Sequence, residues 1–591
     1  MLKRSGRVTE TVFFLSLFLI SLFLTMEIHR GRGTYNWQSE IWVDKAGYYI
    51  YLPATFLYRF DFDKFPERID DRTGGGFILD YDKRKLNNKY SYGVALLVSP
   101  FFLGTHAVAK ILGIPEEGGF APLYHRMVNI AAVFYLVLGL WLLKRFLDRH
   151  FEKKISFLVV IFLYAGTNLF YYGLEDTLMS HVYSFFLFSL FLLSLQNYLR
   201  EKRPVYFLLL SFSFSLAFLI RPTSGILLLL LFLWDVASFT DLRDRFRLLI
   251  KPVNILAFSG ILFLVFLPQM IYWKYLTGKF LMYTYGAEGF SNWKTPFFAE
   301  VWFSPLNGYF TYTPLAILFP AGMILMIRKE VRNGWLLAFI FLLASYLFAS
   351  WFTWYFACSY WQRSFAEYSA LMAVPLGVLL TEGFRAKNLF LKSILAILFL
   401  ACSYYNVRLS LNYEKCFFGS TWDWNRFGRL LEKTGIAGRF DQTYVFCNDF
   451  ENTALSNLNR ISDSVAKSGR YSMYMTPDRE YGGRFLELVG NLGRETPCFI
   501  KAGIWIWKTS DNPLGAFLVC SVEKEGRSLV WLSEPLDPSV PGKERWCRIE
   551  RTFVIPDNTD RGASLSVYIW NRQRTSFYAD DLEIEFRTIG Q

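Results

Sequence analysis

Residues 8–26 read VTETVFFLSLFLISLFLTM, an almost continuous apolar run near the start of a chain of 591 residues. Cationic residues precede this run and no small-residue cleavage site follows it, so we expect a retained signal anchor rather than a cleaved peptide. Because Lys and Arg favour the cytoplasmic ends of membrane helices, the N-terminus is predicted to lie inside. The polar interval from Glu27 to about His125 is then the first large loop on the outer side.

The composition places the whole chain in the membrane class. Hydrophobic residues make up 53% and aromatic residues 19%, more than one soluble core needs. With the anchor, about eleven apolar stretches have roughly the length of a membrane crossing. The other ten are 126–143, 155–173, 182–198, 206–220, 224–239, 252–272, 312–327, 334–350, 366–381 and 388–404. We therefore expect a polytopic α-helical membrane protein.

The charge distribution predicts which connections face the cytoplasm. If the broken apolar stretch Tyr92 to Leu112 lies along the outer surface, 17 Lys and Arg residues fall in one set of connections and 5 in the other. The positive-inside tendency favours this arrangement, with the C-terminal region outside. The net charge of +13 is explained by these short clusters, so we expect no nucleic-acid partner. The five outer cations are Arg221, Lys274, Lys279, Lys294 and Arg363.

After about residue 405 the pattern changes from long apolar runs to short alternating segments. Ile504-Trp505-Ile506-Trp507 is one example, and turn-rich stretches such as Asp511-Asn512-Pro513 separate such segments. Period-two alternation with regular turns predicts an antiparallel all-β sandwich. We expect three parts: a membrane domain over 1–404 with a large outer loop at 27–125, a connector over 405–439 that contains Trp422, Asp423 and Trp424, and a sandwich over 440–591.

The start of the first outer loop carries the most informative motif. Asp44-Lys45-Ala46-Gly47-Tyr48-Tyr49-Ile50-Tyr51-Leu52-Pro53 is similar to a D-x-x-G-Y-Y-x-Y-L-P stretch of uncharacterised bacterial members of the GT-C glycosyltransferase superfamily. Other pieces follow in the order seen there, and the resemblance covers roughly residues 1–400. They are Tyr92-Gly93, Pro100-Phe101-Phe102, Ser180 to Phe185, Arg221-Pro222-Thr223, Pro268-Gln269, Tyr272-Trp273 and Phe303 to Gly308.

The resemblance implies a GT-C-like fold and transfer of a sugar from a polyprenyl-phosphate carrier. Such a reaction needs a base for the acceptor hydroxyl and a cation for the leaving phosphate, both at the membrane surface. Asp44 is the candidate base, and the alternative is a solvated loop acid paired with Lys45. Tyr48 and Tyr49 beside it are predicted to contact the donor or the acceptor.

Several residues in later outer turns are candidates for binding the donor or the acceptor. Arg221 could hold the donor phosphate or could be an interfacial arginine. Glu175 and Asp176 could assist Asp44 or could be solvated turn residues, and His181 could contact phosphate or cap a helix end. We expect Asp44, Glu175 and Arg221 to meet around one outward cavity. Arg363 is a further candidate for binding the donor phosphate, but its i, i+4 spacing to Glu367 favours a structural ion pair.

Cofactors are weakly specified by the sequence. Asp44 lacks the adjacent second acid of some superfamily members, so a divalent Mg or Mn ion on Asp44 and Asp176 stays open. The five His residues show no zinc motif and there is no P-loop. The seven Cys residues lack paired spacing, so we expect free buried thiols.

The C-terminal region resembles jelly-roll modules that bind carbohydrate. The similarity lies in Asp449-Phe450-Glu451, Ser468 to Met473 and Phe577 to Ile584. The resemblance implies sugar stacking on aromatic rings, but core packing is the more frequent role for each of Trp505, Trp507, Trp531, Trp546 and Trp570.

We therefore expect a multi-pass protein of the cytoplasmic membrane whose sandwich lies in the periplasm or outside the cell. Its function would be transfer of a sugar from a polyprenyl-phosphate donor, with inversion, to a glycan, lipid or protein acceptor, among membrane lipids. The alternative is a non-catalytic protein, either a glycan or lipid flippase or a sugar-binding receptor scaffold.

Overall fold

The computed structural model divides the chain into two compact units. Unit 1 comprises Met1–Arg30 and Trp37–Phe427, and unit 2 comprises Gly31–Asn36 and Gly428–Gln591. The structure describes residues 2–413 except 37, 287, 357 and 358; residues 424, 427, 430, 431, 434 and 435; and residues 440–589 except 452–460, 490, 491, 493–498, 538–541, 557, 558 and 561.

Unit 1 is built from helices and one short hairpin. The hairpin pairs β1 (Ile78–Asp80) with β2 (Lys85–Asn87). The helices are α1 (Leu2–Ile28), α2 (Asp44–Tyr49), α3 (Tyr51–Pro53), α4 (Ile69–Arg72), α5 (Gly93–Leu112), α6 (Pro122–Leu147), α7 (Lys153–Gly166), α8 (Leu169–Leu174), α9 (Ser180–Glu201), α10 (Pro204–Ile220), α11 (Leu227–Leu233), α12 (Phe239–Leu249), α13 (Pro252–Thr277), α14 (Phe298–Phe303), α15 (Tyr309–Tyr312), α16 (Leu318–Arg328), α17 (Gly334–Ala349), α18 (Ser369–Arg385) and α19 (Leu389–Asn412).

Each of the eleven predicted apolar stretches overlaps a helix of unit 1. Among the described residues, six helices are long and apolar enough to cross a membrane, and four apolar helices are shorter, so the count of about eleven crossings stays a prediction. α5, for which a surface position is predicted, is one of the six. The six are Val8–Ile28, Gly93–Leu112, Glu117–Leu147, Ser180–Glu201, Pro252–Thr277 and Lys392–Asn412.

A buried polar cluster fastens the start of the first loop to the helices. Glu40 lies 2.9 Å from Nδ1 of His29 at the end of α1 and 3.0 Å from Nδ1 of His125 in α6. Asn129 donates to the same carboxylate at 3.0 Å. Although burial alone would raise it, the hydrogen bonds to His125 and His29 hold the pKa of Glu40 well below its usual value. These contacts therefore fix the position of the loop segment that precedes Asp44.

Unit 2 confirms the predicted all-β region. Its strands are β3 (Phe440–Asn448), β4 (Ile461–Ser462), β5 (Ser472–Met475), β6 (Tyr481–Leu488), β7 (Phe499–Lys508), β8 (Phe517–Lys524), β9 (Arg527–Pro535), β10 (Trp546–Val554), β11 (Ser564–Trp570) and β12 (Phe577–Ile589). One antiparallel sheet has the order β10-β7-β12-β5-β4 with β3 also beside β12, and the other has the order β6-β11-β8-β9.

The two sheets of unit 2 share one core, as the alternating pattern predicts. Ile504 and Ile506 of β7 and Val567 and Ile569 of β11 are fully buried in it. The intervening tryptophans Trp505 and Trp507 therefore point to the outer face of their sheet, so the expectation of core packing is wrong for these two residues.

The structure also bears on the predicted end of the membrane domain and on the predicted state of the cysteines. The helix α19 continues to Asn412, eight residues beyond the predicted end of the membrane domain, while Trp422 and Asp423 lie outside the described residues. Of the cysteines, Cys402, Cys447, Cys520 and Cys547 are described, and Cys402, Cys447 and Cys520 are free thiols. Cys447 is exposed, so the expectation of burial is wrong for this residue. Cys358, Cys416 and Cys498 lie outside the described residues.

The Glu40 cluster can be tested by stability. We expect Glu40→Ala to lower the free energy of unfolding by about 3–5 kcal/mol, because it leaves two buried histidines without their carboxylate. Chemical unfolding of the purified chain in detergent measures this change. The matched control is Asp61→Ala, which breaks an exposed pair with Lys64 and should cost at most about 1 kcal/mol. Equal effects of the two substitutions would contradict an anchoring role for Glu40.

Candidate functional site

One cavity of about 380 Å³ in unit 1 brings most of the predicted site residues together. Its polar side is formed by Asp44, Tyr48, Tyr90, His181, Arg221 and Arg363. Its other side is apolar and aromatic and includes Ile220, Phe290, Phe348, Trp351, Phe352 and Phe356. The cavity therefore offers a charged surface and an apolar surface to the same ligand.

Asp44 opens helix α2 and is held by two partners that are remote in sequence. Its Oδ2 lies 3.3 Å from NH1 of Arg363, and its Oδ1 accepts a hydrogen bond of 2.5 Å from the hydroxyl of Tyr90. The side chain of Asp44 keeps 29% of its surface exposed. Burial alone would lower the pKa of Arg363, but the Asp44 carboxylate raises it above its usual value.

Two glycines make the approach of Tyr90 and the turn before Asp44 possible. A Cβ on Gly47 would lie 2.1 Å from the ring of Tyr90, and one on Gly76 would lie 1.7 Å from the carbonyl oxygen of Val43. Val43 itself has φ of 49°, an unfavourable value for a β-branched residue. The backbone around Asp44 is thus strained and closely packed, which is frequent at functional sites.

Lys45 is not the partner of Asp44, so the alternative of a local Asp44–Lys45 pair is wrong. Its Nζ donates to the carbonyl of Ser39 at 2.6 Å and lies 3.3 Å from Oδ1 of Asp176. Lys45 and Asp176 are both buried. Asp44 instead points into the cavity, because α2 directs adjacent side chains to different sides.

Arg221 reaches the cavity from the turn between α10 and the 3-10 helix Pro222–Ile226. Its Nε lies 3.1 Å from Oε1 of Glu367, which is fully buried, and its NH2 donates to Ser364 at 2.9 Å. Its NH1 lies 3.0 Å from Nδ1 of His181. A guanidinium group cannot accept a hydrogen bond, so this contact places the proton of a neutral His181 on Nε2.

The predicted Arg363–Glu367 pair is wrong. Arg363 pairs with Asp44, whereas Glu367 pairs with Arg221 and lies 3.4 Å from His181. The reason is local geometry: Arg363–Phe365 is a 3-10 helix and α18 begins only at Ser369. The i, i+4 neighbourhood of an α-helix therefore does not exist at these positions.

The remaining predicted residues divide between the cavity and its surroundings. Tyr48 lines the cavity, with its hydroxyl 3.4 Å from Oγ of Ser180, whereas Tyr49 is buried and donates to the carbonyl of Gly119. Glu175 and Asp176 do not line the cavity, so the structure joins Asp44 and Arg221 there without Glu175.

A divalent ion is not supported by the donor set. Asp44 faces Arg363 and Asp176 faces Lys45, so each predicted ligand already has a cationic partner. Among the residues that the structure describes, no group of three His, Cys, Asp or Glu side chains could hold a metal. The Mg or Mn ion stays a prediction, and no step below uses it.

Sequence reasoning missed three residues of the site, Tyr90, Lys89 and Glu288, and gave Glu367 the wrong partner. Tyr90 contacts Asp44 and Glu367 holds Arg221, as described above. At the rim of the cavity, Nζ of Lys89 lies 2.8 Å from Oε1 of Glu288. The same Nζ lies between two rings, 5.5 Å from the centre of the Tyr90 ring and 5.8 Å from that of Tyr285. The sequence did offer a signal for Tyr90, because Tyr90 lies two residues before the Tyr92-Gly93 piece of the family resemblance. No sequence motif pointed to Glu288.

Comparisons with known proteins give only distant similarities. Neither a known protein family nor a curated protein matches the chain. Among solved structures, the arabinosyltransferase EmbB from Mycobacterium smegmatis is similar over 97% of this chain and 64% of its own, with 9% identity and a TM-score of 0.37. The chain therefore spans less than two thirds of EmbB.

Two smaller similarities involve carbohydrate-related proteins. The CBM22-1 xylan-binding domain from Paenibacillus barcinonensis Xyn10C is similar over 25% of this chain and 97% of its own, with 14% identity and a TM-score of 0.17. An arabinose-bound α-L-arabinofuranosidase, MgGH51, is similar over 22% of this chain and 21% of its own, with 14% identity and a TM-score of 0.16. All of these TM-scores lie below 0.5, so function must be inferred from the cavity itself.

The Arg221–Glu367 contact can be measured without knowing the substrate. In a double-mutant cycle of Arg221→Ala and Glu367→Ala, we expect a coupling free energy of about 1–3 kcal/mol, because each single change leaves a buried charge unpaired. Unfolding of the four proteins in detergent provides the values. The exposed pair Arg68 and Asp71 serves as the control and should couple by less than about 1 kcal/mol. Additive effects at Arg221 and Glu367 would show that the two residues do not interact.

Proposed function

We propose that the protein is a membrane glycosyltransferase that moves a sugar from a polyprenyl-phosphate donor to an acceptor at the outer face of the cytoplasmic membrane. One observation carries the proposal: a carboxylate, two guanidinium groups and an apolar aromatic wall line the same cavity. A lipid-linked sugar phosphate has matching parts, namely an anionic headgroup and an apolar chain. The volume of the cavity, about 380 Å³, lies in the range of ordinary ligand pockets.

Arg221 and Arg363 are the proposed phosphate-binding groups. Glu367 and Ser364 hold Arg221 from behind, and 17% of its side chain stays exposed for a ligand. Arg363 contacts Asp44 in the resting site, so a bound phosphate would share this guanidinium group with the carboxylate. Both cations would stabilise the negative charge that grows on the leaving phosphate.

Asp44 is the proposed base. Its pairing with Arg363 holds the carboxylate in place, and the Tyr90 hydroxyl fixes its orientation. Burial and then the Asp44 charge raise the pKa of Tyr90 well above its usual value, so Tyr90 acts as a donor and not as a competing base. In the transfer, the acceptor oxygen attacks the anomeric carbon, its proton passes to Asp44, and the phosphate leaves with the electron pair of the broken bond.

His181 supplies a further donor for the ligand. Its side chain is fully buried, and among the described residues its Nε2 has no hydrogen-bond partner. A buried N–H without a partner is unfavourable, so a phosphate or sugar oxygen in the cavity would satisfy it. The alternative of a non-catalytic flippase or receptor scaffold does not require a base beside two phosphate-binding cations.

The transferase proposal is tested by following label from radiolabelled polyprenyl-phosphate sugars into acceptors in membranes that contain the protein. We expect Asp44→Asn to reduce transfer about 10²–10⁴-fold, because the amide cannot accept the proton. The control Asp63→Asn changes a carboxylate with 69% of its side chain exposed and should transfer normally. Transfer at the unaltered rate by Asp44→Asn would remove Asp44 from the mechanism, and movement of donor across the membrane without transfer would support the flippase.

The sandwich presents a second candidate function, glycan binding, on the outer face of its larger sheet. Trp546, Trp507, Tyr578 and Tyr474 lie opposite one another on β10, β7, β12 and β5. The rings of Tyr474 and Tyr578 are stacked at 4.5 Å, and those of Trp507 and Trp546 are 5.7 Å apart. At about 4.8 Å per strand the row spans about 14 Å, which would suit a short chain of sugar rings.

Glycan binding by this row can be tested on an oligosaccharide array with the full chain in detergent. We expect Trp507→Ala to weaken binding at least about tenfold, because it removes a central ring of the row. Trp531→Ala is the matched control, since Trp531 lies in β9 of the other sheet. Equal losses from both variants, or no binding by the unaltered chain, would contradict the proposal.

A further inference from the structure

The helix α12 is fixed to its neighbours by its own cap and by one arginine. Ser238 and Asp241 form a reciprocal capping box at its N-terminus. Arg245 donates from NH1 to the carbonyl of Leu231 at 2.9 Å and from NH2 to that of Trp234 at 2.8 Å. These contacts satisfy carbonyls at the end of α11 and set the position of α12 against it.

Exposed apolar side chains lie along α12 and the start of α13. Phe239, Phe246, Ile250 and Val253 keep 84%, 44%, 57% and 69% of their surface exposed. Exposed cations accompany them, among them Arg243 and Arg247. An amphipathic helix that combines exposed aromatic and aliphatic groups with cations is typical of helices that lie in a membrane interface.

A group of cations gathers beside this helix around one buried contact. Asn254 at the start of α13 donates to the Tyr198 hydroxyl at 2.9 Å and to the carbonyl of Leu248 at 2.8 Å. Nζ of Lys202 lies 5.9 Å from the centre of the Tyr198 ring. Burial lowers the pKa of Lys202, and the nearby charges of Arg245 and Lys251 lower it further.

Two cations of this group, Lys202 and Lys251, lack an acidic partner among the residues that the structure describes. Among the described residues no carboxylate lies within ion-pair distance of Lys202 or Lys251, while the guanidinium of Arg245 is directed to the two carbonyls. Like charges that repel one another without an acid between them would be stabilised by an added anion. Geometry brings the two lysines to one place, because Tyr198, whose ring faces Lys202, contacts Asn254, and the N–H of Asn254 donates to the carbonyl of Lys251 at 2.8 Å.

We propose that Lys202 and Lys251, together with the exposed apolar side chains of α12, form a binding surface for anionic phospholipid headgroups. The headgroup phosphate lies between the two lysines, and Phe239, Phe246 and Ile250 insert among the acyl chains. The positive-inside distribution predicts that this connection lies at the cytoplasmic leaflet, where anionic lipids attract basic segments. The proposal concerns a surface that the sugar-transfer cavity does not use, so it stands independently of the proposed activity.

The test uses native mass spectrometry of the full chain in neutral detergent with added phosphatidylglycerol or phosphatidylcholine. We expect the unaltered chain to retain phosphatidylglycerol in preference to phosphatidylcholine. In Lys202→Gln/Lys251→Gln the affinity for phosphatidylglycerol should fall about 30-fold, since each cation near an anionic surface contributes about fivefold to this affinity. Lys274→Gln/Lys279→Gln is the matched control, because it removes two cations from a connection predicted to lie on the other side, and it should bind like the unaltered chain.

Three results of these measurements would overturn the proposal, and a fourth applies to an arginine variant. They are equal retention of the two lipids, equal weakening in both double variants, and competition of inorganic phosphate with phosphatidylglycerol at similar concentration, which would identify a simple anion site. If the glutamine variant does not fold, Lys202→Arg/Lys251→Arg keeps the charge and must retain the preference for phosphatidylglycerol. Loss of the preference in a folded arginine variant would also contradict the proposed surface.

Discussion

The contact between Asp44 and Arg363 is the interaction on which the site depends. It joins the first loop to a segment 319 residues later, with Oδ2 and NH1 3.3 Å apart. A carboxylate and a guanidinium group that are both partly removed from water need partners, since a single buried charge would cost several kcal/mol. Glu367 does the same for Arg221. Neither guanidinium group in the cavity is therefore left without an acidic partner.

The opposite wall explains why such charged groups belong beside a membrane. Phe290, Phe348, Trp351 and Phe352 face the same cavity as Arg221 and Arg363. A water-soluble sugar phosphate would need only the charged side. A lipid-linked donor would use both, because its chain leaves water against the aromatic wall while its phosphate meets the arginines. The rim pair Lys89–Glu288 joins the first loop to the segment after α13 and so closes one side of this space.

Much of this arrangement could be predicted from the sequence, for identifiable reasons. Helices were predictable because long apolar runs have one stable form in lipid. Asp44, His181, Arg221 and Arg363 were predictable as site members because each follows or precedes such a run at the same predicted surface. Tyr90 and Glu367 were not, because their roles depend on contacts between distant segments. The contact of Asp176 with Lys45 was not predictable, because the sequence does not show that Lys45 turns inward.

In the sandwich, too, features that depend on local sequence pattern were predictable, whereas features that depend on pairing between distant strands were not. Alternation in β7 predicted that Ile504 and Trp505 face opposite sides of a sheet, and the structure confirms this. The pattern did not predict that Trp507 would lie opposite both Trp546 and Tyr578, because the register between strands depends on the whole fold. The strand register therefore brings Trp546, Trp507, Tyr578 and Tyr474 into one row.

We propose that the cavity formed by the first loop opens on the outer side of the membrane. It is tested most directly by labelling intact cells with a membrane-impermeant maleimide, using Lys83→Cys in the first loop and Lys154→Cys at the start of α7, whose lysine side chains are 77% and 60% exposed. The unaltered chain gives the background from its own cysteines. We expect Lys83→Cys to react on intact cells and Lys154→Cys to react only after permeabilisation. Reaction of Lys83→Cys only after permeabilisation would contradict an outward-facing site.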